Sequence, residues 1–322
     1  MKVLICGGTG FIGRNIIESL SRQHDIEVYA TAFTKPPVNI PNVTWYTGNL
    51  CDPKFIDKIT LDVDVVVQAA AITSGSRDIV EKPYIHITDN AIMNSLILRA
   101  CHTNRVSHFI FMSCCVMYPS RSVPWKEREW FPGIKFHDNY FGAGWTKIYI
   151  EKMCEFYSKL GVTKHTVVRH TNTYGPHDKY DLERSHVFGA TVTKVMTNDS
   201  GTHVMWGDGE EERDLIYVSD VVKFIEACIN KQNTPYELYN VGLGKTIKIK
   251  NLVHKIIAAS GKKIDILNDI SKPSIKTSFT VCCDKALSDF GWQPETSIED
   301  GISQTMKWWR ENLGVKSSLH ES

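Results

Sequence analysis

The residues best suited to chemistry lie in a few short stretches of this 322-residue chain. In "GGTGFIG", Gly8, Gly10 and Gly13 satisfy the spacing GxGxxG, and Gly7, Gly10 and Gly13 satisfy GxxGxxG. The stretch follows a β-branched run and opens a helical pattern. Glycines there allow a tight turn, close backbone approach to a pyrophosphate and close helix–strand packing, while the helix N-terminus favours the anion. In "FMSCCVMYP" two thiols, Cys114 and Cys115, sit at a strand end. A thiol exchanges protons near a pKa of ~8.5, lower beside a lysine, or serves simply as a small buried residue. In "NYFGAGWTKIYIEK", Lys147 stands at the start of a helix, four residues after Ala143.

These residues need a scaffold, and the alternation of runs predicts one. "KVLIC", "EVYATAF", "VTWYTG", "DVVVQAA", "HFIFMS" and "HTVVRHT" read as strands, separated by helical patterns at Ile12–Leu20, in "NAIMNSLILRACHTN" and over 145–159. That order predicts an α/β chain, a Rossmann-type doubly wound parallel sheet covered on both faces. After about residue 175 the pattern loosens into "GPHDKYDLERSH", a strand–turn–strand in "VMWGDGEEERDLIYV" and a helix over Val218–Asn230. The expected organisation is a dinucleotide-binding lobe over 1–175, to which 213–240 returns, and a smaller interleaved lobe over 176–212 and 241–322.

The end of the second strand bears on the cofactor. An acid there would bind the adenosine ribose of NAD, but "YATAFTKPP" offers Thr31 and Lys35 and no carboxylate before Asp52. The missing acid and the nearby cation favour NADP, with NAD possible; the alternative is a solvated loop lysine.

Composition narrows the classes further. Thirty-seven basic against thirty-six acidic residues give a formal charge of +1, which offers no bulk attraction to nucleic acid or a membrane surface. The twelve histidines are scattered, so no metal site is expected. Nine cysteines without a CxxC pair suit reduced thiols in a cytoplasmic protein. "MKVLICGG" is too short in apolar residues for a signal-peptide core or membrane span.

With these motifs in place the chain resembles the extended short-chain dehydrogenase/reductases that act on nucleotide sugars, and within them the fucose-synthase branch. The resemblance runs nearly end to end and is most specific in "NTYGPHDKYDLERSHVFGATVTK"; "VMWGDGEEERDLIYVSDV", "YNVGLGKTIKIKNL" and "QAAAITSG" are also similar. It implies cofactor contacts at Gly7, Gly10, Phe11, Ile12, Gly13, Thr31, Lys35, Asn49, Leu50, Ala69, Ala70, Ala71 and Lys147. It implies that His186 donates a ring proton and that Arg213 clamps a substrate diphosphate, a task suited to a bidentate guanidinium. Asn172 and Val187 would line the sugar site, Lys194 would sit near the diphosphate and Trp206 near the nucleobase. The implied activity is an NADP-dependent epimerase/reductase of a GDP-linked 4-keto-6-deoxy sugar. The implied assembly is a homodimer built on the helices around 90–103 and 145–159, the second carrying Ile148, Met153 and Phe156.

The chain departs from that pattern at its catalytic centre. The family carries a tyrosine four residues before the lysine, whose phenol exchanges the proton while hydride moves; here that residue is Ala143. The family's hydroxyl partner is replaced by Cys114, and its cysteine base by Val116, with Cys115 beside it. Three readings follow: an enzyme with proton chemistry rerouted through Cys114, Cys115, Tyr140 or water; a relative in which Ala143 is a mutation; and a catalytically silent cofactor-binding subunit. An epimerase or dehydratase without net redox is the alternative reaction.

Overall fold

The computed structural model describes residues 1–73, 76–183, 185–271 and 276–314. Ser74 and Gly75, which end "QAAAITSG", and Arg184 in "DLERSH" lie outside them. The strands are β1 (Lys2–Cys6), β2 (Glu27–Ala32), β3 (Val43–Thr47), β4 (Val65–Gln68), β5 (His108–Cys114), β6 (Lys164–His170), β7 (Asn172–Tyr174), β8 (Thr202–Trp206), β9 (Glu212–Tyr217), β10 (Tyr236–Val241), β11 (Thr246–Lys248) and β12 (Asp265–Asp269). The helices are α1 (Phe11–Leu20), α2 (Pro53–Ile59), α3 (Ser76–Glu81), α4 (Thr88–Thr103), α5 (Phe141–Ser158), α6 (Val187–Met196), α7 (Val218–Lys231), α8 (Ile249–Ser260), α9 (Asp284–Phe290) and α10 (Ile298–Asn312).

Seven strands form a parallel sheet in the order β10-β6-β5-β4-β1-β2-β3. Alternate residues of its central strands feed opposite cores, which is why those strands are apolar throughout. Val3, Ile5, Val67, Ile110 and Val168 pack under α1, α7 and α9, while Leu4, Val66, Phe111 and Val167 pack under α2, α4 and α5. Strand order reverses between β1 and β4, the place where open α/β sheets form a crevice at the carboxyl ends of their strands. The expected Rossmann-type sheet is therefore the structure's frame.

The second half of the chain is more interwoven. β8 and β9 do not pair with each other: β8 pairs with β12, and β9 lies between β11 and β7. Arg213 thus stands on the smaller sheet, and α7 with β10 carries the chain back to the large one. Ala286, Phe290 and Trp292, near the C-terminal end, also join the first core. A third core lies among α6, α8 and α10, with Phe188, Leu252, Ile256 and Met306 at its centre.

α5 begins at Phe141, so Ala143 and Lys147 share one helix. Ile148, named among the residues carried by the expected dimer helix, is buried against Trp125, Trp130 and Val281. Met153 is partly buried against the second core. The large apolar residues that α4 and α5 do expose are Ile92, Phe141, Tyr149 and Phe156.

One buried ion pair ties the central elements together. Glu151 of α5 and Arg169 of β6 have side chains only 3% exposed and meet through Nη2–Oε2 at 2.5 Å and Nε–Oε1 at 3.0 Å. Ser113 Oγ of β5 donates to Glu151 Oε1 at 2.6 Å, and Arg169 Nη1 donates to Tyr118 Oη at 2.8 Å. The Tyr118 hydroxyl in turn donates to Asn240 Oδ1 of β10 at 2.9 Å. Removing one partner strands a buried charge. Glu151→Leu is expected to cost about 3–5 kcal/mol in denaturant unfolding, and the double change with Arg169→Met to cost less than either single change.

At the opposite sheet end two buried rings stay neutral. Burial holds His108 down to about 3 and His165 to about 4, with positive charge at His102 adding to the effect on His165. Neither ring nitrogen of His165 has a partner among the described residues. The ordinary value is 6.5. The unfolded chain therefore binds protons below about 6.5 that the folded chain refuses until about 4. Stability is full above that window and falls as pH drops through it, by about 1.4 kcal/mol per pH unit for each such ring. In His165→Leu, denaturant midpoints measured across this range should lose part of that slope, with stability at neutral pH unchanged or about 1 kcal/mol higher.

Candidate functional site

The glycine-rich turn is fixed by close packing. Gly7 has φ +81°, and a Cβ there would lie 2.6 Å from Ala70 Cα. A Cβ on Gly13 would lie 2.3 Å from the Gly7 carbonyl oxygen. Gly10 is the N-cap of α1 without a side-chain cap, which leaves the positive end of that helix to an external anion. Phe11 and Ile12 follow as the first helical residues.

Thr31 requires a correction. It is buried, and its Oγ1 accepts from Gly7 N at 2.8 Å while its carbonyl accepts from Gly8 N at 3.0 Å. It therefore holds the turn in shape and does not face a ribose. β2 ends one residue later without a carboxylate. Lys35 is exposed and lines, with Thr9, Arg14 and His177, a cavity of about 490 Å³. Leu50 is buried, and the Asn49 side chain accepts from Cys51 N at 2.9 Å. Ala69 and Ala70 are bonded to Cys6 O and to the Gln68 side chain, and Ala71 is exposed. An uncapped helix end, a cradle that any Cβ would fill and a cation beyond β2 together fit a dinucleotide phosphate.

The second part of the site lies at the carboxyl ends of β5 and β6. Lys147 Nζ donates to Met112 O at 2.8 Å and lies 4.6 Å from the centre of the Phe111 ring. Burial lowers its pKa, opposed by Cys114 and Glu151. Cys114, half-buried at the end of β5, has its thiol pushed up by burial, with the Lys147 charge pulling the other way. The thiol thus stays protonated at neutral pH. Cys115 points elsewhere: it is buried in the cluster with Met117 and Trp125 and donates to Arg169 O at 3.3 Å. It is not brought to the site.

Ala143 leaves no proton-bearing group one turn before Lys147. Tyr140, the N-cap of α5, has its phenol raised by burial, with Arg213 opposing and Cys114 adding to the rise. Arg213 Nη1 donates to the carbonyls of Glu212 and Thr277, both at 2.7 Å. Those bonds aim a guanidinium at the Tyr140 side of the cleft.

His186 is the N-cap of α6. It is open to solvent yet crowded by protein, the environment of a cleft wall. Burial, then the charges of Lys179 and His86, hold it down to about 4. It is a neutral imidazole in the ligand-free cleft. Val187 follows at the rim, and Asn172 Nδ2 donates to Asp214 O at 3.3 Å. Farther out, Lys194 Nζ lies 5.5 Å from the centre of the Trp206 ring. Trp206 is 39% exposed.

Sequence reasoning passed over His170, the last residue of β6, which faces Cys114 in strand register. Its position at a strand's carboxyl end, two residues before Asn172, was the available signal. Burial and then Lys147 and His186 hold its imidazolium down to about 4, against the bond to Thr171. Among the described residues no group of three or more His, Cys, Asp or Glu could hold a metal, and no helix is long and apolar enough to cross a membrane.

The chain is similar to known proteins along nearly its whole length. Residues 3–242 match the family described as the NAD dependent epimerase/dehydratase family. The chain is 26% identical over 315 residues to GDP-L-colitose synthase of Yersinia pseudotuberculosis, covering 96% of this chain and 98% of that one. It is 27% identical over 328 residues to GDP-L-fucose synthase of Escherichia coli K12, covering 97% of each. Among solved structures, UDP-glucose 4-epimerase of Thermotoga maritima superposes with a TM-score of 0.85 at 23% identity, covering 97% of this chain and all of that one; that likeness speaks for the fold. The chain therefore belongs to the NAD dependent epimerase/dehydratase family.

Proposed function

We propose that the protein is an NADP-dependent epimerase/reductase acting on a GDP-linked 4-keto-6-deoxy sugar, with proton chemistry adapted to Ala143. The observation that carries this reading is the convergence of Lys147, His186 and Arg213 on one cleft beside a turn built for a dinucleotide. The names of the similar GDP-sugar synthases support the guanine nucleotide, and the absent carboxylate beyond β2 with the exposed Lys35 supports NADP.

This reading gives each residue a role. Arg213, held by two backbone carbonyls, pairs with the substrate diphosphate. Trp206 offers a face to the nucleobase, with Lys194 beneath it adding positive charge. Lys147 binds the nicotinamide ribose and holds positive charge beside the reacting oxygen. His186 exchanges a ring proton during epimerisation, and Cys114 retains its proton as a donor. The cofactor supplies or receives the hydride. The exposed Ile92, Tyr149 and Phe156 of α4 and α5 suit a homodimer, and free thiols at all nine cysteines suit the cytoplasm.

Turnover of GDP-4-keto-6-deoxy-mannose with NADPH in deuterated water, followed by mass spectrometry, tests the reading. The expected product has gained one hydride and carries solvent deuterium at epimerised carbons; no change in mass with any GDP sugar rules the reading out. Arg213→Ala is expected to weaken GDP-sugar binding by calorimetry about ten- to a hundredfold, from loss of a charge-assisted clamp worth roughly 1.5–3 kcal/mol, while the protein still melts cooperatively. Ala143→Tyr should leave hydride transfer unchanged or slower. A gain approaching the ~10²–10⁴-fold typical of a positioned acid/base would mark Ala143 as a lesion in an ordinary enzyme.

A further inference from the structure

We propose that His170 is the group that exchanges the hydroxyl proton during hydride transfer, in the role left open by Ala143. The inference rests on the reductase reading above and concerns a residue to which that reading gives no role.

The geometry defines both ring nitrogens. Nδ1 lies 2.9 Å from the Thr171 carbonyl oxygen and 3.0 Å from Thr173 Oγ1. A carbonyl oxygen only accepts, so Nδ1 carries the hydrogen and Nε2 keeps its lone pair. Nε2 makes no hydrogen bond to any described residue, and it is not among the buried unpaired atoms, so it keeps some contact with solvent. The ring is half-buried and held by its local bonds, which spares the reaction the cost of orienting it.

Position matches the chemistry. His170 ends β6 directly across from Cys114, and Lys147 is bonded to the carbonyl of Met112, two residues before Cys114 on the neighbouring strand. Two of the competing groups, Cys115 and Tyr140, are placed elsewhere. Cys115 donates its thiol hydrogen to Arg169 O, and Tyr140 lies on the Arg213 side of the cleft with its phenol raised by burial.

The step balances simply. Where a bound nicotinamide would accept the carbinol hydrogen with its two electrons, His170 Nε2 takes the hydroxyl proton. The carbon–oxygen bond becomes double, and an imidazolium remains. In reduction the imidazolium returns that proton to the oxygen as the hydride arrives at carbon. Lys147 and His186 disfavour the imidazolium in the ligand-free cleft. A bound diphosphate adds negative charge and stabilises it, so proton exchange becomes easier once substrate is in place.

Nuclear magnetic resonance of protein carrying ¹⁵N-labelled histidine tests this without turnover, with His170→Gln assigning the signals. His170 is expected as the Nδ1–H tautomer, neutral at pH 6, with its titration moving to higher pH when GDP and NADP⁺ are added together. An Nε2–H tautomer, or a titration unmoved by the ligands, overturns the proposal. In kinetics, His170→Gln and His170→Phe should lower the hydride-transfer rate about 10²–10⁴-fold while GDP and NADP⁺ affinities stay within about threefold. Undiminished transfer in either folded variant refutes it. If the unchanged protein transfers no hydride to any nucleotide sugar, the reductase reading fails instead, and the tautomer and ligand-linked titration still report on His170.

Discussion

The Glu151–Arg169 ion pair is the constraint around which the site is organised. It joins α5 to β6 and, through Ser113, to β5; through Tyr118 and Asn240 it reaches β10. Glu151 stands one helical turn after Lys147, and Ser113 stands next to Cys114, so one pair of charges sets the helix that carries the lysine against the strand end that carries the thiol. Two desolvated charges contribute little net stability when fully paired, but they penalise any other register of the helix on the sheet. Such a pair specifies position more than it adds strength.

The cleft that this pair positions has an electrostatic character of its own. Lys147 and His186 act on His170, Lys179 and His86 act on His186, and Arg213 acts on Tyr140 beside Cys114. The histidines answer the crowding by shedding protons. The result is a cleft with fixed charge at Lys147 and Arg213 and adjustable charge at its imidazoles. A diphosphate is the kind of ligand such a cleft accommodates, since its negative charge relieves the repulsion that the folded chain otherwise carries.

Much of the frame was legible in the sequence because it rests on local rules. The glycine spacing after "KVLIC" could serve little but a tight turn onto a helix, and the apolar runs of the central strands could sit only in a sheet covered on both faces. Lys147, His186 and Arg213 were identified through short motifs that keep their neighbours in sequence. What was not legible depends on contacts between distant segments. Thr31 looked like a cofactor contact because it lies near the end of β2, but its hydroxyl turns back to Gly7. Ile148 was named for a dimer helix, but the loop carrying Trp125 and Trp130 covers that side. Cys115 and Cys114 are adjacent in sequence and face different environments, as neighbours on an extended strand end must.

The order of strands has a consequence for how the chain is made. β10, the outer strand of the large sheet beside β6, is synthesised only after α6, β8 and β9 of the smaller lobe. While a ribosome is building the segment from Thr171 to Pro235, β6 presents an open edge of unpaired amides and carbonyls. Tyr236–Val241 closes that edge, and Ala286, Phe290 and Trp292 seal its core still later. Neither lobe can be completed alone during synthesis, so the nascent chain must hold an unfinished sheet until its C-terminal third arrives.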